Sequence, residues 1–206
     1  MNLNAKQYEA MTTIDQHVRI IAGAGSGKTR VVTSRIAYLI EQCHVSPHHI
    51  LAITFTNKAA REMKERVEKM LPHLDSSVKI STIHSFCMRL LREDIYVLGY
   101  PRNFTVLDSD DARSVLKDAY KLMQIDVKAY SYASMLAYIS GNKTAFVSPS
   151  TALKMAKFDE KEQIRAKVYE YYQKRLKEMY ALDFDDLLIF AHDVLQQDES
   201  IRFKWQ

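Results

Sequence analysis

The chain has 206 residues, of which 47% are hydrophobic, enough to bury a core for one domain or two small ones. Only 5 glycines and 4 prolines punctuate it, so long helices should outweigh short strands. The net charge of +4 permits an anionic partner without requiring one. No apolar run is long enough to span a bilayer, and Met1-Asn2-Leu3-Asn4 is not the basic start of a signal peptide, so a cytoplasmic protein is expected.

In chain order, Ala5, Tyr8, Met11 and Ile14 recur at helical spacing and predict a leading helix over 4–14. Val18-Arg19-Ile20-Ile21-Ala22 is short and β-branched, as a buried parallel strand would be. A glycine-rich loop follows, and a helix is expected from Lys28 to about Gln42. The pattern repeats twice, with strands at 50–55 and 78–81 and helices at 57–71 and 83–98. Phe104-Thr105-Val106-Leu107 reads as a fourth strand. Beyond it no strand is expected, only helices: one at 111–123 capped by Asp108 or Ser109, one at 132–139, a loop at 141–149, and a long charged helix over 159–180. Cys43 and Cys87 lie far apart with no zinc spacing and are read as reduced helical residues.

Ala22-Gly23-Ala24-Gly25-Ser26-Gly27-Lys28-Thr29 fills the phosphate-loop pattern, with alanine at its first position. Glycines let the backbone curl so that successive N–H groups point at phosphates, and the helix that follows presents its positive end to them. Lys28 supplies a charge for the β and γ phosphates. Thr29 offers a hydroxyl to Mg²⁺, an ion that takes few protein ligands. Ala22 to Thr29, with Arg30 directly after them, are the expected nucleotide-binding residues, and Lys28 and Thr29 the expected catalytic ones.

Three further segments narrow the family. Leu3-Asn4-Ala5-Lys6-Gln7 resembles the Q motif of superfamily 1 helicases, in which Gln7 becomes the adenine reader, since a carboxamide matches the adenine amino group and N7 together. Ile53-Thr54-Phe55-Thr56-Asn57-Lys58-Ala59-Ala60 resembles motif Ia, and Ser81-Thr82-Ile83-His84-Ser85-Phe86 resembles motif Ib, with Ile83 where phenylalanine is usual. Leu182-Asp183-Phe184-Asp185-Asp186-Leu187-Leu188 is similar to the acidic segment at which such chains return from a helical insertion. The whole chain thus resembles the UvrD/Rep/PcrA group of DNA helicases, nearest its PcrA branch, to which Arg102–Asp108 is also similar.

That resemblance implies an α/β fold: a RecA-like phosphate-loop parallel sheet carrying an inserted all-helical subdomain. The expected divisions are a core domain over 1–108, a helical insertion over 109–180, and a return over 181–206 that stops before the Walker B strand ending in Asp-Glu-x-Gln-Asp. It implies ATP and Mg²⁺ as cofactors and single-stranded and duplex DNA as partners, with Phe55, Thr56, Asn57, Lys58 and His84 on the DNA side. It further implies 3′ to 5′ translocation with duplex unwinding, as in repair or replication, and a monomeric chain that binds ATP but hydrolyses it poorly. A non-hydrolysing ATP-sensing DNA-binding module and the helicase subunit of a recombination nuclease are the alternatives; a small-molecule kinase would not explain Gln7 or Thr56-Asn57-Lys58. Asp183, Asp185 and Asp186, like Asp108, Asp110 and Asp111, are read as helix-capping charges and not as metal ligands. Insertion tyrosines such as Tyr120, Tyr138, Tyr169 and Tyr172 are read as core, and Lys143, Lys154, Lys157 and Arg165 lie near them in sequence.

Overall fold

The computed structural model describes residues 3–14, 17–73 and 78–206, a mixed α/β chain dominated by helices. Met1 and Asn2 lie outside the described residues. The chain forms two compact units, Met1–Ser85 and Phe86–Gln206.

In the first unit, α1 (Ala5–Thr12) opens with a capping box: the Asn4 side chain accepts the Gln7 N–H, and the Gln7 side chain accepts the Asn4 N–H. No residue of α1 is buried, so polar contacts and partial apolar coverage hold it. After the glycine-rich loop come α2 (Lys28–Glu41), β1 (Leu51–Thr54), α3 (Asn57–Met70) and β2 (Lys79–Thr82). β1 and β2 pair in parallel, Leu51 opposite Lys79 through Thr54 opposite Thr82, which puts both carboxyl ends on one edge. Ala60, Met63 and Val67 recur at helical spacing along α3, and Met63 and Val67 pack with Ile36 and Ile40 of α2 and Ala52 of β1. Each large aliphatic side chain buried there contributes about 1.5–3 kcal/mol. The helix α4 (Ile83–Asp94) begins directly after β2.

The second unit gathers α5 (Ser109–Met123), α6 (Tyr132–Thr144), α7 (Pro149–Met155) and α8 (Glu160–Glu178) around Leu116, Met135, Ile139, Ala166, Tyr172 and Leu176. The core holding these helices extends from Leu107 to Ala181. β3 (Thr105–Val106) pairs in parallel with β4 (Ala181–Leu182), and α9 (Phe184–Gln197) and α10 (Glu199–Trp205) follow. Asp108 and Asp183 cap α5 and α9, satisfying first-turn N–H groups as the capping reading expects, and Asp159 caps α8 in the same way.

Three expectations need correction. Val18–Ala22 is not a strand: among the described residues it pairs with nothing, and Ile21 is 84% exposed, because a β ladder requires a neighbour and β1 is paired only with β2. A strand does occur after 107: the short β4, whose two buried residues carry too little pattern to read alone. Gly141 to Thr144 extend α6 instead of forming a loop, since burial of Ile139 and Lys143 on the same helix face outweighs one glycine. Lys143 itself is only 2% exposed. Its ammonium lies 2.7 Å from both Asp183 Oδ2 and Asp186 Oδ1, and the Tyr172 hydroxyl donates to Asp183 Oδ2 at 3.1 Å. Burial pushes the Asp186 carboxyl up to about 6, against the opposing pull of Lys143.

Candidate nucleotide site and nucleic-acid face

The glycine-rich loop adopts a conformation only its composition allows. Gly25 and Gly27 have φ of 72° and 83°, in the left-handed region where a Cβ is costly. A Cβ on Gly27 would also sit 3.2 Å from Gln7 Nε2. Gly27 is the N-cap of α2 and brings no side-chain acceptor, and no acidic residue stands in the first turn. The leading N–H groups of α2 are therefore left to an external acceptor, reinforced by the helix dipole.

The polar side chains of the loop are folded onto its own backbone. Lys28 Nζ donates to the carbonyls of Ala22 at 2.9 Å and Gly23 at 2.7 Å, and Ser26 Oγ donates to Gly23 at 2.8 Å. Gln7 reaches the loop from α1, its Nε2 donating to the Ser26 carbonyl at 3.0 Å. The other end of α1 is tied to α2 by Arg35, whose Nη1 donates to the carbonyls of Ala10 and Met11 at 3.0 and 3.1 Å. Arg35 escaped sequence reading because nothing local marks an arginine as the cap of a distant helix.

Between α1, residues 17–22 and the loop lies a cleft of about 530 Å³, within the range of small-molecule sites, lined by Lys6, Gln7, Arg19, Ser26 and Lys28 among others. The open space around Gly23 and Gly25, the uncapped helix start and the basic lining fit a polyphosphate. Thr29 and Arg30, on the first turn of α2, are exposed, as are Ala24 and Ser26. A carboxamide carries two donors and two acceptor lone pairs, so Gln7 keeps one of each for a base while it holds Asn4 and Ser26.

The carboxyl edge of β1 and β2 carries the second group of expected site residues. Phe55 is 104% exposed, so it is not a core phenylalanine. Thr56 caps α3 by accepting the Ala59 N–H at 3.1 Å, and Asn57 and Lys58 project from its exposed first turn. His84 is half-buried at the start of α4, directly after β2. Ligands bind outside the carboxyl ends of strands in open parallel sheets, which is where these residues sit.

A glycine-rich loop opening a helix, with aromatic and basic residues displayed at the end of a parallel strand pair, places the chain among mixed α/β proteins with a phosphate-loop sequence. The chain matches the UvrD/REP helicase N-terminal domain over residues 3–206 and belongs to that family. It is 47% identical over 95% of its length to ATP-dependent DNA helicase PcrA of Staphylococcus aureus, and likewise to PcrA of Staphylococcus epidermidis. The chain spans 27% of the length of these relatives. Among the described residues, no helix is long and apolar enough to cross a membrane.

Proposed function

We propose that this chain is the nucleotide-binding amino-terminal part of an ATP-dependent DNA helicase. The observation that carries the reading is the loop of residues 22–29, with its left-handed glycines at the uncapped start of α2. Lys28 exchanges its Ala22 and Gly23 carbonyls for phosphate oxygens, Thr29 offers its hydroxyl to Mg²⁺, and Gln7 selects adenine. Bound MgATP supplies a phosphoryl group whose transfer depends mainly on positioning and charge stabilisation. The 206 residues contain no Asp-Glu-x-Gln-Asp segment, so by themselves they bind MgATP with little turnover.

Phe55 stacks on a base of single-stranded DNA while Asn57 and Lys58 meet its phosphates, with Thr56 holding their helix start. His84 lies on the same edge and completes that face. Residues 109–180 form the helical insertion, 1–108 and 181–206 belong to the core domain, and translocation runs 3′ to 5′ in the cytoplasm, as the family resemblance implies. The test is nucleotide binding by isothermal titration calorimetry. Lys28→Ala removes a charged hydrogen bond worth about 1.5–3 kcal/mol and should weaken MgATP by at least tenfold; equal affinities for wild type and variant refute the site.

A further inference from the structure

We infer that Gln7, besides reading the base, is a positioning residue for the phosphate cradle: it sets the orientation of the Ser26–Gly27 peptide. This rests on the nucleotide-site reading above. The Gln7 Nε2–H donates to the Ser26 carbonyl at 3.0 Å. Ser26 C=O and Gly27 N–H belong to one planar trans peptide and point in opposite directions. Anchoring the carbonyl on α1 therefore aims the Gly27 N–H away from α1. Gly27, at φ 83°, is the N-cap of a helix whose leading N–H groups have no side-chain cap.

The anchor itself is fixed on both sides. Gln7 Oε1 is held by the Asn4 N–H in the capping box, and the far end of α1 is pinned to α2 by Arg35. Glycine flanks the peptide on one side, so without the anchor the Ser26–Gly27 plane is free to rotate. Rotation turns the carbonyl, a negative dipole, toward the phosphates in place of an N–H donor. Gln7 thus couples base recognition to phosphate binding through one carboxamide, and its removal weakens ligands that have no base at all.

The probe is inorganic tripolyphosphate with Mg²⁺, compared with MgATP on wild type, Gln7→Ala and Gln7→Met, all checked for folding by far-UV circular dichroism. Gln7→Met keeps the helix and the bulk but neither hydrogen bond. The inference expects both variants to bind tripolyphosphate about three- to tenfold more weakly, the loss of one hydrogen bond. It also expects the Gly27 amide resonance, shifted by tripolyphosphate in the wild type, to lose most of that shift in Gln7→Met. Loss of ATP affinity with tripolyphosphate affinity unchanged overturns it and leaves Gln7 as a base reader only. Weaker tripolyphosphate binding with a full Gly27 shift also overturns it, placing the effect elsewhere in α1. A wild-type chain that binds neither ligand refutes the nucleotide site itself, a result distinct from either of these.

Discussion

Replacing Lys143 by methionine removes the only cation within the Lys143–Asp183–Asp186 cluster while keeping the length of its stem. Two carboxylates, 15% and 2% exposed, are then left side by side at the start of α9. Stripping one partner from a buried ion pair costs about 3–5 kcal/mol, a large share of the stability of any domain. The sign of the pH response follows from burial. Asp186 already titrates near 6 with Lys143 beside it, and without the ammonium its carboxyl rises further. The folded variant then holds a proton that the unfolded chain, with a carboxyl near about 3.9, has released, so its stability increases as pH falls. Urea unfolding followed by circular dichroism at pH 7 and pH 5 should show the deficit at pH 7 and a smaller one at pH 5. Adding Asp183→Asn and Asp186→Asn to Lys143→Met should recover much of the loss, since asparagine still caps α9. A deficit below about 1 kcal/mol at pH 7, or one that grows on acidification, refutes this account of the cluster.

In the otherwise wild-type chain, Asp186→Asn removes a carboxyl that burial holds near 6, so its stability relative to wild type should improve as pH rises from about 4 to 6 and then level off; a flat difference across that range contradicts the burial argument. Gly27→Ala places a Cβ at φ 83° and 3.2 Å from Gln7 Nε2, costing about 1–2 kcal/mol of strain, and calorimetry should find both lower thermal stability and weaker MgATP binding. Phe55→Ala, at a fully exposed position, should leave the melting temperature unchanged within error while weakening single-stranded DNA by about 1–3 kcal/mol in fluorescence anisotropy. His84→Ala should weaken the same DNA without altering nucleotide affinity; a loss of thermal stability with DNA binding intact would instead make His84 a packing residue.

Features that depend on a few neighbouring residues were legible in the sequence. The loop glycines, the α2 helix that Lys28 opens, the helix α3 after β1 and the caps at Asp108 and Asp183 all follow from backbone sterics and hydrogen bonding within a turn or two. So did the placement of Phe55 and His84 after two strands, because period and punctuation mark a strand end locally. What required the tertiary structure was every feature whose partner lies far along the chain. Val18–Ala22 has the composition of a strand, yet a strand exists only where another offers a ladder, and none pairs with it among the described residues. Ala181–Leu182 has almost no pattern and becomes a strand because Thr105–Val106 lies beside it. Nothing local pairs Lys143 with Asp183, 40 residues away; α6 and α9 bring them together. The hold of Gln7 on Ser26, 19 residues away, exists only once α1 packs on α2. Local sterics set conformations; burial and long-range pairing, which cost chain entropy and are recovered only in the assembled fold, decide which of those conformations meet.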